Sequence, residues 1–361
     1  WAGATLDGSK GQVMVEIPMH YRKFEAIGDV HRCWVSEYPV TGYHKVPKMY
    51  ISAYEATVQR STLKLSSVMN TTADYRGGNN TAEWDSTHRT QRGRPASHIN
   101  RTNFRKYARN RKPATSEWNC QDYNAYKAVF WLYTVEYANR DAQLAVNAQK
   151  DSNGFAQGGI GAGITNMVSW PAYNSSSPFV PCGHTNVLGN GSGEVAYDVK
   201  QSDGSILVTV YANRYRGIEN LFGHMSKYTD GINIQVNPTA ENGGDGTSNV
   251  YVADNPANYN DANYNGYILR GLAYRNGGYI KELILGEFGE IITSSVGGGG
   301  SLYWADSVQT NIPNTTSLRC ALFGGTATFG SGAGFLFTNT IYGSTASNGE
   351  MGSRLCFIPL N

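Results

Sequence analysis

Residues 318–361 read LRCALFGGTATFGSGAGFLFTNTIYGSTASNGEMGSRLCFIPLN, and the fold turns on how that stretch is read. Two apolar runs, LRCALF and SRLCFI, have the length and the aliphatic or aromatic content of buried strands, and are bounded by Gly-Gly on one side and Met-Gly-Ser on the other. They are expected to pair with each other in the core. Between them Phe329, Phe335, Phe337, Ile341 and Tyr342 are scattered without a clean period through Thr, Ser, Gly and Asn. Such composition is typical of irregular surface structure. Large apolar side chains set in a polar loop point to a contact surface.

The whole chain has 361 residues, long enough for two or three average domains or one elaborated domain. Its 30 Lys plus Arg against 28 Asp plus Glu give a formal charge of +2, too near zero to draw a nucleic acid or a membrane by long-range attraction. With 42 Gly, 24 Tyr and only 16% charged residues, the chain reads as a loop-rich, aromatic folded protein and not a disordered one. No apolar run approaches the roughly twenty residues that span a bilayer, so membrane insertion is not expected. The chain opens at Trp1 without Met or a signal-like segment and reads as a fragment or processed product. Five cysteines, Cys33, Cys120, Cys182, Cys320 and Cys356, are widely spaced and include no CxxC pair, which argues against a zinc site. One bridge, Cys320 to Cys356, is open to the chain; the preferred reading is two small buried residues.

Along the chain, Val13–Pro18, Cys33–Glu37 and Met49–Tyr54 read as strands of a meander, and 58–96 as a long exposed loop. Nine Lys or Arg residues accumulate between Arg89 and Lys112. They could form a phosphate-binding patch. Phe104, Tyr107, Ala108 and Arg111 at i, i+3, i+4 and i+7 favour instead a helix whose basic residues face solvent, so no nucleic-acid partner is expected. A second helix is expected from about Asn119 or Asp122, plausible N-caps, to about Asn139. The Gly158–Gly163 run lacks the spacing of a dinucleotide loop. Ile206–Tyr211, Tyr267–Ala273 and Tyr279–Leu285 read as strands, and most of 235–302 as connection. His224 and Asp230 could be drafted as an acid–base pair, but a His in an apolar-periodic stretch is more often simply hydrogen-bonded.

Several of these stretches together resemble one family, the proteins diversified by diversity-generating retroelements, in the branch carried by gut bacteriophage tails. The matching residues are Leu318-Arg319, Gly324-Gly325, Gly334 and Gly352-Ser353-Arg354-Leu355-Cys356-Phe357, the strand VMVEIP at 13–18, YISAYEA at 50–56, WLYTVEYANRDAQLAVN at 131–147 and YRGIENLFGHMSKYTDGINI at 215–234. Leu221, Ser226 and Tyr228 depart from the family's usual Pro and Trp residues. The resemblance implies an α+β C-type lectin fold of the formylglycine-generating-enzyme type: two helices packed on antiparallel sheets with long loops and insertions. It implies a single elaborated domain over 1–361, with N-terminal strands in 1–57, two helices in 97–140 and a variable region in 318–361. Glu55 would be structural.

Function follows from the same resemblance. The variable positions would be Thr326, Thr328, Phe329, Gly332, Phe335, Phe337, Thr340, Ile341, Tyr342 and Asn348. They would form the ligand-binding patch of a receptor-binding adhesin at a virion's tail tip, seated among other tail proteins. Its partner would be a host cell-surface protein or glycan, and copies in a homotrimer would add avidity. Rigid aromatics beside adaptable Ser, Thr and Gly suit such a patch. The alternatives are a structural tail or baseplate protein, a bacterial surface adhesin, or an enzyme of the formylglycine-generating type. The last is disfavoured because 326–351 contains no Cys, and no GxSxG, HExxH or Walker sequence occurs elsewhere. No catalytic residue and no cofactor are therefore expected. Nor is calcium-dependent sugar binding, since the lectin EPN or QPD motif is missing. Gly243-Gly244-Asp245-Gly246 supplies one carboxylate toward the roughly six to eight oxygen ligands calcium takes, enough only for a weak structural cation.

Overall fold

The computed structural model describes residues 3–27, 30–149 and 178–359; the Gly158–Gly163 run lies outside them. Strand makes up 35% of the structure and helix 14%, and the largest sheet curls into a nearly closed, barrel-like body. This overturns the expectation of two helices packed on antiparallel sheets in a C-type lectin arrangement. The nine strands include Ile268–Leu272, Ser248–Val252, Ser226–Val236, Ser317–Phe323, Thr338–Asn339, Ser307–Gln309, Gly278–Leu285 and Glu290–Val296, in that spatial order, with Met351–Gly352 branching off Ser226–Val236. The end strand Ile268–Leu272 approaches Gly278–Leu285, the last strand but one at the other end of the sheet, where Gly271 meets Ile284: a Cβ at 271 would lie 2.7 Å from Ile284 Cγ2. A glycine there permits the close approach.

Four smaller sheets surround it. Met14–Ile17, Met49–Ser52, Leu355–Phe357 and Trp118–Cys120 form one, in that order. His20–Ile27 pairs with Val30–Ser36 and His44–Val46, and Ile206–Tyr215 pairs with Gly193–Lys200 and Ile218–Glu219. A short hairpin joins Thr57–Gln59 to Lys64–Ser66. The two apolar runs of the C-terminal stretch are both strands, but they do not pair. Ser317–Phe323 bonds to Ser226–Val236 and Thr338–Asn339, whereas Leu355–Phe357 bonds to Met49–Ser52 and Trp118–Cys120. Cys320 and Cys356 are consequently on different sheets, both buried and both free. The segment 58–96 is largely irregular, yet Gln91, Arg94 and Ala96 are buried in it.

Helix α2, Tyr123–Tyr137, begins where Asp122 accepts a hydrogen bond from Ala125 N at 2.9 Å. Tyr123, every residue from Ala125 to Trp131 and Tyr133 are buried, so the helix is sheathed on almost all sides and not amphipathic. It packs against Met14–Ile17, Met49–Ser52 and Ser226–Val236. Helix α1, Arg101–Arg109, is capped by Asn100, which accepts from Asn103 N at 2.9 Å. Phe104 and Ala108 are buried as expected, but the basic face is not solvated. Arg101 and Arg105 are buried too, because acids distant in sequence receive them: Arg105 bonds Asp230 at 2.5 and 2.9 Å and Asp261 at 2.9 Å, and Arg101 bonds Asp261 at 2.9 Å. Those guanidiniums serve the fold. No described helix is long and apolar enough to cross a membrane.

Candidate functional site

The C-terminal stretch enters from Ser317–Phe323, turns at Gly324-Gly325, makes a 3-10 turn at Gly330–Gly332, returns as Thr338–Asn339 and closes through Met351–Gly352. Its backbone is held largely by groups that belong to the frame. Tyr126 Oη donates to Phe335 O at 2.6 Å, Gln143 Nε2 to Gly330 O at 3.1 Å, and Leu336 N donates to Asp306 Oδ2 at 2.6 Å. Further along, Thr340 N donates to Gln309 O at 2.9 Å, Cys320 N to Tyr342 O at 2.9 Å, His98 N to Asn348 O at 3.0 Å and Tyr228 Oη to Ala346 O at 2.8 Å. Gly334 lies so close to Asp306 that a Cβ would sit 1.8 Å from Oδ1. Burial raises the Asp306 carboxyl well above its ordinary range, although the Leu336 and Gly334 amides act against it.

The ten positions anticipated from sequence divide by burial. Phe335 is wholly buried, its ring 4.9 Å from Tyr126, 5.4 Å from Phe130 and 5.5 Å from Tyr133. Phe337 is also wholly buried, and Thr326, Gly332 and Thr340 are buried with it. These five positions belong to the interior in this structure and cannot meet a ligand without rearrangement. The run FLF with no charge nearby is filled in as core because α2 presents Tyr126, Phe130 and Tyr133 to it. Thr328, Phe329, Ile341, Tyr342 and Asn348 are half-buried. Phe329 stacks on Phe337 at 4.7 Å, and Thr328 Oγ1 lies 2.7 Å from Thr326 Oγ1. Thr345 and Ser347, absent from the anticipated set, are the exposed positions between Gly324 and Glu350. The large apolar side chains most open to solvent are elsewhere, Val187 and Tyr38 foremost, with Ile27 and Val30 on the paired strands His20–Ile27 and Val30–Ser36, and Ile268, Leu269 and Leu272 on Ile268–Leu272.

Below this stretch a buried ionic cluster anchors the last strand. Glu55 is paired with His224 and with Lys227 at 2.9 Å, and Arg354 donates to Ser52 O at 3.1 Å and to Glu219 O. Burial alone would raise Glu55, but His224, Lys227 and Arg354 outweigh it and hold the carboxyl down at about 2. His224 and Asp230 have separate partners, Glu55 and Arg105, and so are not an acid–base pair. Asp245 is engaged by Asn237 and Thr247 at 2.7 to 2.9 Å. Among the described residues no group of three or more His, Cys, Asp or Glu side chains is placed to hold a metal ion.

No protein-family model matches this chain, and no curated protein matches it either.

Proposed function

We propose that the chain is a binding protein whose recognition surface is the outward part of 326–350, of the kind carried by retroelement-diversified phage tail adhesins, meeting a protein or glycan on a host cell surface. One observation carries the reading. The loop is pinned mainly through its backbone and by side chains outside it, so Thr328, Phe329, Ile341, Tyr342, Thr345, Ser347 and Asn348 can differ while the path of the chain stays fixed. Half-buried Phe329, Ile341 and Tyr342 offer contact area at low rotamer cost, and Thr345, Ser347 and Asn348 supply adaptable hydrogen bonds.

A patch this small gives modest affinity, so several copies on one particle would be needed for firm adsorption. The sheet edge Ile268–Leu272, with Ile268, Leu269 and Leu272 more than half exposed at 53 to 55%, supplies an apolar strand on which copies could meet.

The test is adsorption of the purified, fluorescently labelled chain to a panel of intact bacteria. Tyr342→Ala combined with Asn348→Ala should reduce binding to the preferred strain at least about tenfold while circular dichroism is unchanged. Equal binding of parent and variant to every strain would reject the reading.

A further inference from the structure

A second site lies in a cavity of about 310 Å³, none of whose lining residues falls between 324 and 350. Its wall combines Arg22 and Phe24 from His20–Ile27, Asn124 and Lys127 from the first turns of α2, and Arg270 with Phe288. Arg22 is the residue without an explanation in the fold. It is 6% exposed, its Nη1 is buried without a partner, and its side chain makes no hydrogen bond or ion pair among the described residues. Its near neighbour is the ring of Phe24, 5.3 Å from Cζ.

The acids around it are already engaged. Glu290 receives Lys127 at 3.1 Å on both oxygens, with Arg270 at 3.6 Å. Asp254 holds Arg270 at 2.8 Å, and Asp122 accepts from Ala125 N and Tyr259 Oη. Glu287, at the mouth, faces His44 at 3.5 Å. An uncompensated buried guanidinium is costly to folding, and such costs persist at functional sites. Burial pulls Arg22 down to about 10, so it remains charged at neutral pH. The start of a 15-residue helix in the same wall adds a positive dipole end.

We propose that this cavity binds a small organic anion, Arg22 taking its carboxylate or phosphate in a two-pronged hydrogen bond while Phe24 and Phe288 flank the rest of the molecule. Its oxyanion would complete the ion pairing that the fold leaves open. This inference is independent of the loop and of the recognition role assigned to it.

Calorimetry and thermal melting of the full chain with benzoate, glucuronate, inorganic phosphate and neutral benzyl alcohol test it. At least one anion should bind saturably with a dissociation constant of order 1 mM or tighter and raise Tm, whereas benzyl alcohol should do neither. Benzoate or glucuronate alone would identify a carboxylate ligand, and phosphate alone a phosphorylated one. Arg22→Met should weaken anion binding at least about tenfold and, without ligand, melt at or above the parent's Tm, because it removes an unpaired buried charge. Lys45→Glu, an exposed change at the rim, should weaken binding about two- to fivefold with Tm unchanged. Failure of all three anions to bind below roughly 10 mM would overturn the proposal. So would anion affinity unaltered in either variant.

Discussion

Glu55 shows most simply how single residues set the frame. Its folded value of about 2 lies below the ordinary 4.5, so the stability it contributes is fully present above about pH 4.5 and drains away as pH falls toward 2. At about 1.4 kcal/mol per unit the difference is of order 3 kcal/mol for this wholly buried group. Urea denaturation of the parent at pH 5 and pH 3 should show about 2 kcal/mol of that loss, and Glu55→Gln should flatten it while lowering stability at pH 7 by roughly 3–5 kcal/mol through the stranded Lys227. Asp122 runs the other way. Burial outweighs its hydrogen bonds from Tyr259 and Ala125 and raises it from 3.8 to about 6, so its contribution weakens as pH rises from about 4 to 6. Asp122→Asn keeps a competent helix cap, and its denaturation midpoint should vary less than the parent's across that interval. Sequence offered Asp122 as one of two caps, beside Asn119, and a structural Glu55 was only what the family resemblance implied. The sequence could not foretell that Lys227 and His224 share one carboxylate, since 169 residues separate Glu55 from His224.

At the scale of elements, α1 is docked by ions and not only by its apolar stripe. Arg105 spans Asp230 and Asp261 with paired bonds from a planar fork that a lysine lacks. Arg105→Lys should therefore cost at least about 2 kcal/mol, and Arg105→Ala about 3–5 kcal/mol, in denaturant titrations. A local pattern reads such a helix as basic and solvated because the two acids lie more than a hundred residues away. The pairing of the terminal strands was opaque for the same reason: length and apolarity mark LRCALF and SRLCFI as buried, but partner choice depends on strands at 49–52, 118–120 and 226–236. Ser248–Val252, with alternate residues buried, was lost among flanking Gly and Asn. The loop itself rests on Gly334 against Asp306. Gly334→Ala should force the two apart, costing about 2 kcal/mol or more and broadening amide signals of 330–337 in NMR spectra.

Taken whole, the molecule is a nearly closed sheet with a sheathed helix beside it, and the C-terminal stretch is part core, part surface. That division was not legible in the sequence: scattered aromatics look alike there whether they face Tyr126 or lie part-way out to solvent, and contact with α2 is what buries Phe335. On the proposed reading, substitution of interior positions should unfold the frame and substitution of outward ones should not. Two display libraries measure this directly, one randomising Thr328, Phe329, Ile341, Tyr342, Thr345, Ser347 and Asn348, the other Phe335, Phe337, Thr338 and Thr340, each scored for protease resistance. The outward library should remain mostly folded and the interior one should largely be lost; equal loss of folding in both would contradict the account.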